Sequence, residues 1–169
     1  MKKKIGFIDY SIDEWHANNY PEMIRNSNRG DEFEIHLAWE ELTKPDVRNL
    51  HEWCRDFNIK AATGIEQIVG ECDCIAVLAP SDPDVHERLA QLPLKSGKPV
   101  YIDKPFAPSV AAAKRMFALA AEYGTPLMSS SALRFGSELQ SAVNETLAGK
   151  KAIFASTQGG GRSFEEYSI

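Results

Sequence analysis
The sequence predicts an α/β fold, a doubly wound parallel sheet followed by the start of a second, α+β domain. Short apolar runs alternate with amphipathic stretches over about the first 130 residues, the pattern of repeated βα units. The run at residues 74–78, Cys-Ile-Ala-Val-Leu, is apolar throughout, as a strand covered on both faces requires. Helix-start signals and Pro or Gly breaks fall between the runs.

The first strand is expected at residues 4–9. Ser11 and Glu14 then form a capping box that opens a helix toward Ile24. Residues 33–39 read as the second strand. Pro45 opens the next helix, which runs to Phe57 with Val47, Leu50, Trp53 and Cys54 at helical spacing. Ala61 and Ala62 mark a short third strand, and Thr63 with Glu66 a second capping box before a brief helix. After the strand at 74–78, Pro80 and Pro83 break the chain. A helix at 84–92, a strand at 100–102, an Ala-rich helix at 109–123 stopped by Gly124, and a sixth strand at 126–129 follow. A helix at 137–147 and a strand at 151–157 read as the beginning of a second domain, giving domains at 1–130 and 131–169. A lone strand needs partners, so an exposed edge and self-association are expected of it.

With 24 acidic and 19 basic residues the formal charge is −5, and the Lys and Arg are scattered, so no nucleic-acid partner is expected. The apolar run after Lys2, Lys3 and Lys4 ends at Asp9, and no stretch approaches the ~18 apolar residues of a membrane span; a cytoplasmic protein with reduced thiols is expected. The three cysteines are an odd number, and Cys72 and Cys74 have no second ligand pair, so neither a disulfide framework nor a metal site is expected.

In a doubly wound sheet, ligands bind outside the carboxyl ends of the strands, so the informative residues follow each strand. The most specific segment is Asp103-Lys104-Pro105, where a strand runs straight into a charged pair. Pro105 restricts the preceding residue to extended geometry, which sends the Lys104 ammonium toward the cleft. The alternative is a surface lysine paired with Asp103.

This segment resembles the Glu-Lys-Pro that ends the fifth strand of the glucose-fructose oxidoreductase and inositol dehydrogenase (Gfo/Idh/MocA) family. Ala79-Pro80 followed by His86 looks like the family's segment after its fourth strand. Ser129 to Phe135 occupies the place of its Asn-Arg-Arg-Phe segment, matching at Arg134 and Phe135. A Ser-Ser-x-Leu-Arg-Phe variant paired with Asp-Lys-Pro looks like a subgroup.

The resemblance implies a Rossmann domain, an NAD-dependent oxidoreductase acting on a sugar or polyol, and a homo-oligomer. It implies that Lys104 contacts both cofactor and substrate hydroxyl as the catalytic residue. Ser11, Ile12, Glu40, Ala79, Pro80, His86, Asp103 and Lys104 form the implied cofactor set, and Arg134 joins Lys104 toward substrate. The family's catalytic aspartate and histidine lie on a helix beyond Ile169, so the chain by itself is expected to be inert or nearly so, and Tyr167 to Ile169 look like the approach to that histidine.

The chain departs from the family at its first turn, which reads Asp9-Tyr10-Ser11-Ile12-Asp13-Glu14 where the family carries G-x-G-x-x-G. Carboxylates surround the intended pyrophosphate site and repel an anion unless Arg intervenes. Either the helix caps itself with Ser11 and Glu14, or the turn builds a distinct ligand surface; a relative that has lost dinucleotide binding is the competing class. Glu40 reads as a ribose acceptor that favours NAD over NADP, or as an exposed acid beside Glu41. His16 reads as a capping or solvated residue, with a metal shared with Asp13 as the lesser reading. His86 reads as structural, and Arg134 as an anion partner or half of an ion pair.

Overall fold
The computed structural model of the chain describes residues 1–80, 82–154 and 156. Its centre is a parallel sheet of six strands: β1 (Lys3–Asp9), β2 (Phe33–Glu40), β3 (Lys60–Ala61), β4 (Cys74–Val77), β5 (Val100–Ile102) and β6 (Leu127–Met128). Their order is β3-β2-β1-β4-β5-β6, and all five pairings are parallel. The order reverses between β1 and β4, which opens a crevice at their carboxyl ends.

Strand periodicity distributes the apolar residues between two cores. Ile8, Ile75 and Val77 enter one cluster with Ile68, Leu89 and Met116, whereas Phe7, Ala76 and Leu78 enter the other with Ile12, Trp53 and Ala38. Neighbouring residues of one strand point to opposite faces, so both faces are covered.

The helices are α1 (Trp15–Arg25), α2 (Leu50–Phe57), α3 (Ile65–Glu71), α4 (Pro83–Leu89), α5 (Gln91–Leu94), α6 (Val110–Glu122) and α7 (Ser137–Ser141), the last continued by a wider π turn at Ala142–Leu147. Among the described residues no helix is long and apolar enough to cross a membrane.

Several helix starts differ from the sequence expectation. α1 begins at Trp15, because the Glu14 side chain caps it, while the Ser11 hydroxyl accepts the Lys44 N–H at 3.3 Å. α2 begins at Leu50 instead of Pro45, since Asn49 and Glu52 form the capping box there. Thr63 does not cap α3; its N–H and hydroxyl both donate to Gln67 Oε1, at 2.9 and 3.1 Å. The helix expected at 84–92 is two, separated at Ala90.

The chain divides into two compact units, the first being Met1–Ser129 and the second starting at Ser130. Residues 151–154 and 156 carry no strand pairing; the rest of the strand expected at 151–157, and Tyr167 to Ile169, lie outside the described residues. The exposed edge expected from that strand is therefore not formed by residues 151–154 and 156.

Candidate functional site
Three loops converge at the crevice. Asp9, Tyr10, Ser11 and Glu14 from the β1–α1 turn meet Ala79, Pro80 and Asp82 from the β4–α4 loop and Lys44 from beyond β2, around a small cleft of about 40 Å³. The sequence-predicted residues Ser11, Ala79 and Pro80 are thus neighbours. Ala79 holds a φ of 38°, outside the usual range of L residues.

The β4–α4 loop is fastened by His86. Its Nε2 lies 2.9 Å from the Leu78 carbonyl oxygen and 3.1 Å from that of Ala79, and its Nδ1 lies 3.2 Å from that of Phe106. His86 is fully buried, so it ties the loop after β4 to the segment after β5.

The turn after β1 satisfies its own backbone. Glu14 accepts the N–H groups of His16 at 2.7 Å and Ala17 at 2.5 Å, the first free amides of α1. The next free amide in the turn, Ile12 N–H, donates to Glu40 Oε2 at 3.0 Å. Glu40 Oε1 also accepts from Leu50 N–H at 2.9 Å and from the Thr43 hydroxyl at 2.6 Å. Glu40 is accordingly half-buried and fully engaged, which corrects the reading of it as an exposed acid.

Asp13 points away from the crevice. Arg48 clasps it through Nη2 at 2.7 Å and Nε at 3.1 Å, and this pairing, with help from Asn18, holds its carboxyl well below the usual range. The Arg that the acidic turn needed is therefore Arg48, at a sequence separation of 35 that no local pattern signals.

Asp9 is buried, and burial followed by the nearby Glu14 charge raises its pKa well above the usual value. Its Oδ1 accepts the Ser11 N–H at 3.2 Å, while its Oδ2 has no hydrogen-bond partner.

The end of β5 is joined to the same turn. Tyr101 donates its hydroxyl to Asp103 Oδ1 at 2.8 Å, and His16 Nε2 lies 3.6 Å from Asp103 Oδ2, with His16 Nδ1 2.9 Å from Glu14. His16 therefore bridges Glu14 and Asp103 instead of sharing a ligand with Asp13. Burial, then the Asp103 charge, raises the Tyr20 and Tyr101 phenols, so both stay protonated donors at neutral pH. Tyr20 and Tyr101 were missed from sequence because each occupies an ordinary core position.

Asp103 is buried, which rules out an exposed Asp103–Lys104 pair. Lys104 follows it, half-buried, and is joined to Pro105 by a cis peptide. Arg134 is exposed in the second unit, within the short 3₁₀ turn Ala132–Phe135. Burial pushes the Cys54 and Cys72 thiols up to about 11, which makes neither a nucleophile at neutral pH.

A dinucleotide of the kind the resemblance implies does not fit this turn as folded. A pyrophosphate binds such a turn through its free amides, and here those of His16, Ala17 and Ile12 are taken by the chain's own carboxylates.

Comparison with known proteins gives a consistent picture. An uncharacterized oxidoreductase of Schizosaccharomyces pombe is 30% identical over 91 residues, 52% of this chain and 23% of that protein. The uncharacterized oxidoreductase YhhX of Escherichia coli is 30% identical over 93 residues, 55% of this chain and 27% of that one. The chain thus spans about a quarter of the curated relatives it matches. Among solved structures, the WlbA dehydrogenase of Bordetella pertussis, in complex with NADH and UDP-GlcNAcA, superposes with a TM-score of 0.70 at 19% identity, over 89% of this chain and 42% of that one. The model of the GFO_IDH_MocA family, described as an oxidoreductase family with an NAD-binding Rossmann fold, matches residues 16–131. That stretch starts at the histidine bridging the first turn to β5 and includes the loops after β2, β4 and β5, the first turn itself preceding it, and on it the chain belongs to the Gfo/Idh/MocA oxidoreductase family.

Proposed function
We propose that the chain is the nucleotide-binding-type part of an oxidoreductase that acts on a sugar or polyol-type alcohol with a nicotinamide dinucleotide as redox partner. The observation that carries this is Asp103-Lys104-Pro105, where a buried carboxylate anchored by Tyr101 presents a lysine at the carboxyl end of β5. In this reading Lys104 is the catalytic residue. Its amine takes the proton of the substrate hydroxyl, and the resulting ammonium stabilises developing alkoxide charge.

Ser11, Ile12, Ala79, Pro80, His86 and Asp103 frame the cofactor side in this reading, and the family resemblance is what suggests Arg134 as a substrate contact. Glu40 puts a negative charge at the end of β2, which favours NAD over NADP. The sugar class is supported by the UDP-GlcNAcA complex of the similar Bordetella dehydrogenase. Residues 1–130 form the nucleotide-binding domain and 131–169 open a second one, of a cytoplasmic homo-oligomer.

The self-satisfied first turn favours a second reading, a non-catalytic relative that kept the fold. Calorimetric titration with NADH and NADPH separates the two. Saturable binding that prefers NADH and is weakened by Lys104→Ala supports the oxidoreductase; no heat at millimolar cofactor supports the non-catalytic relative.

A further inference from the structure
His86 is fully buried on α4, and atoms that can only accept a hydrogen bond face both of its ring nitrogens. Nε2 lies 2.9 and 3.1 Å from the carbonyl oxygens of Leu78 and Ala79, and Nδ1 lies 3.2 Å from that of Phe106. A neutral imidazole has one N–H and satisfies one of these sides, leaving a lone pair turned toward a carbonyl oxygen on the other. The two sides belong to different strand-end segments. Ala79 holds a φ of 38°, a conformation that persists where neighbours over-determine it. Its amide reaches Asp9 and its carbonyl reaches His86, so it is fixed at both ends. On the β5 side, Phe106 lies two residues after Lys104. Asp103, just before the lysine, is tied by its own N–H to the Val77 carbonyl at 2.9 Å and by the Tyr101 hydroxyl at 2.8 Å. Lys104 thus sits in a short span fastened on both flanks, and His86 is the fastener on the second.

We propose that His86 is a positioning residue for Lys104: donating from both ring nitrogens, it locks the Ala79 loop to the Phe106 carbonyl and fixes the span that carries the lysine. The proposal rests on the oxidoreductase reading of Lys104 above and deepens it. The doubly protonated ring is the form that satisfies all three carbonyls, and its charge-assisted hydrogen bonds offset the cost of burying it. Being fully buried, His86 acts through these carbonyls and not by touching a ligand. It sets where Lys104 stands relative to the loop after β4, the relation that a proton transfer at the crevice depends on.

The test uses two amide side chains, each of which copies one ring nitrogen. Asn places its N–H donors near the position of Nδ1 and Gln near that of Nε2, so His86→Asn keeps the Phe106 side and His86→Gln the Leu78 and Ala79 side. The full chain and both variants are treated with acetic anhydride, and mass spectrometry follows the modification of Lys104 against that of the exposed Lys114 on α6, with and without NADH. Lys104 should react at least threefold faster in His86→Gln than in the parent and at the parent's rate in His86→Asn, with Lys114 unchanged throughout. An unchanged Lys104 rate in His86→Gln, or equal acceleration in both variants as a merely structural role would give, overturns the proposal. Far-UV circular dichroism checks folding. If a variant unfolds, the parent decides by nuclear magnetic resonance: two ring N–H protons on His86 are expected, and a single one overturns the clamp. Failure of NADH to protect Lys104 in the parent counts against the oxidoreductase reading alone, since the variant comparison is made without cofactor.

Discussion
Two aspartates four residues apart give opposite pH dependences, because Asp13 is ion-paired with Arg48 and Asp9 is buried without a counter-charge. Asp13 is held low by Arg48, so its contribution to stability is complete above the unfolded-state value near 4 and is lost as the pH falls through the folded value. Asp13→Asn should cost about 1–2 kcal/mol at pH 7, discounted for the partial exposure of Arg48, and the cost should shrink below about pH 4. Asp9 is raised, so the folded state holds a proton that the unfolded chain releases, and stability falls as pH rises from about 4 toward the folded value. Asp9→Asn should therefore be more stable than the parent at pH 7, by about 1–3 kcal/mol, with the difference vanishing below pH 4. Urea unfolding of both variants at pH 7 and pH 3 checks the two signs, and parallel behaviour would contradict this assignment of partners. The carboxylates of this turn were legible in the sequence, as was the possibility that Glu14 caps the helix. Their partners were not, since Arg48 reaches Asp13 across a sequence separation of 35.

The elements show which kinds of signal survive folding. The six strands of the sheet came through to within a residue or two, because their apolar runs are buried in the two cores, whereas residues 151–154 and 156 of the strand expected at 151–157 carry no strand. Helix starts came through less well, because a capping side chain is chosen by local geometry among several acceptable candidates: Asn49 caps α2 well after Pro45, where the helix was expected to open, and Glu14 caps α1 in place of Ser11. The packing of α3 on β1 depends on a residue with no pattern to read. A Cβ on Gly6 would lie 2.3 Å from Ile68 Cγ2 and 3.0 Å from Cys72 Sγ, and Ile68 is fully buried. Gly6→Ala should push α3 off the sheet and cost about 1–3 kcal/mol in the overpacked core. Chemical denaturation measures it, and an unchanged midpoint would mean that α3 shifts freely.

At the scale of the whole molecule, the stable structure and the family resemblance coincide in one stretch of chain. The six strands, both hydrophobic cores and every carboxylate of the crevice discussed here lie within Met1–Ser129, the first compact unit. The second unit contributes helical residues whose apolar side chains, Leu139 and Val143, are nearly half exposed, at 47% and 46%. Burial of apolar area is the main source of folding free energy, so residues beyond Ser129 should add little to the stability of the sheet. A chain ending at Ser129 should therefore unfold in one cooperative step with a urea midpoint close to that of the full chain. Its denaturant slope should fall only slightly, since that slope follows the surface exposed on unfolding. The same shortened chain should bind NADH as the full chain does, because Glu14, Glu40, Ala79 and Lys104 are all retained. A markedly lower midpoint would show that the second unit buttresses the sheet, and a preserved midpoint with lost binding would place a cofactor contact beyond Ser129.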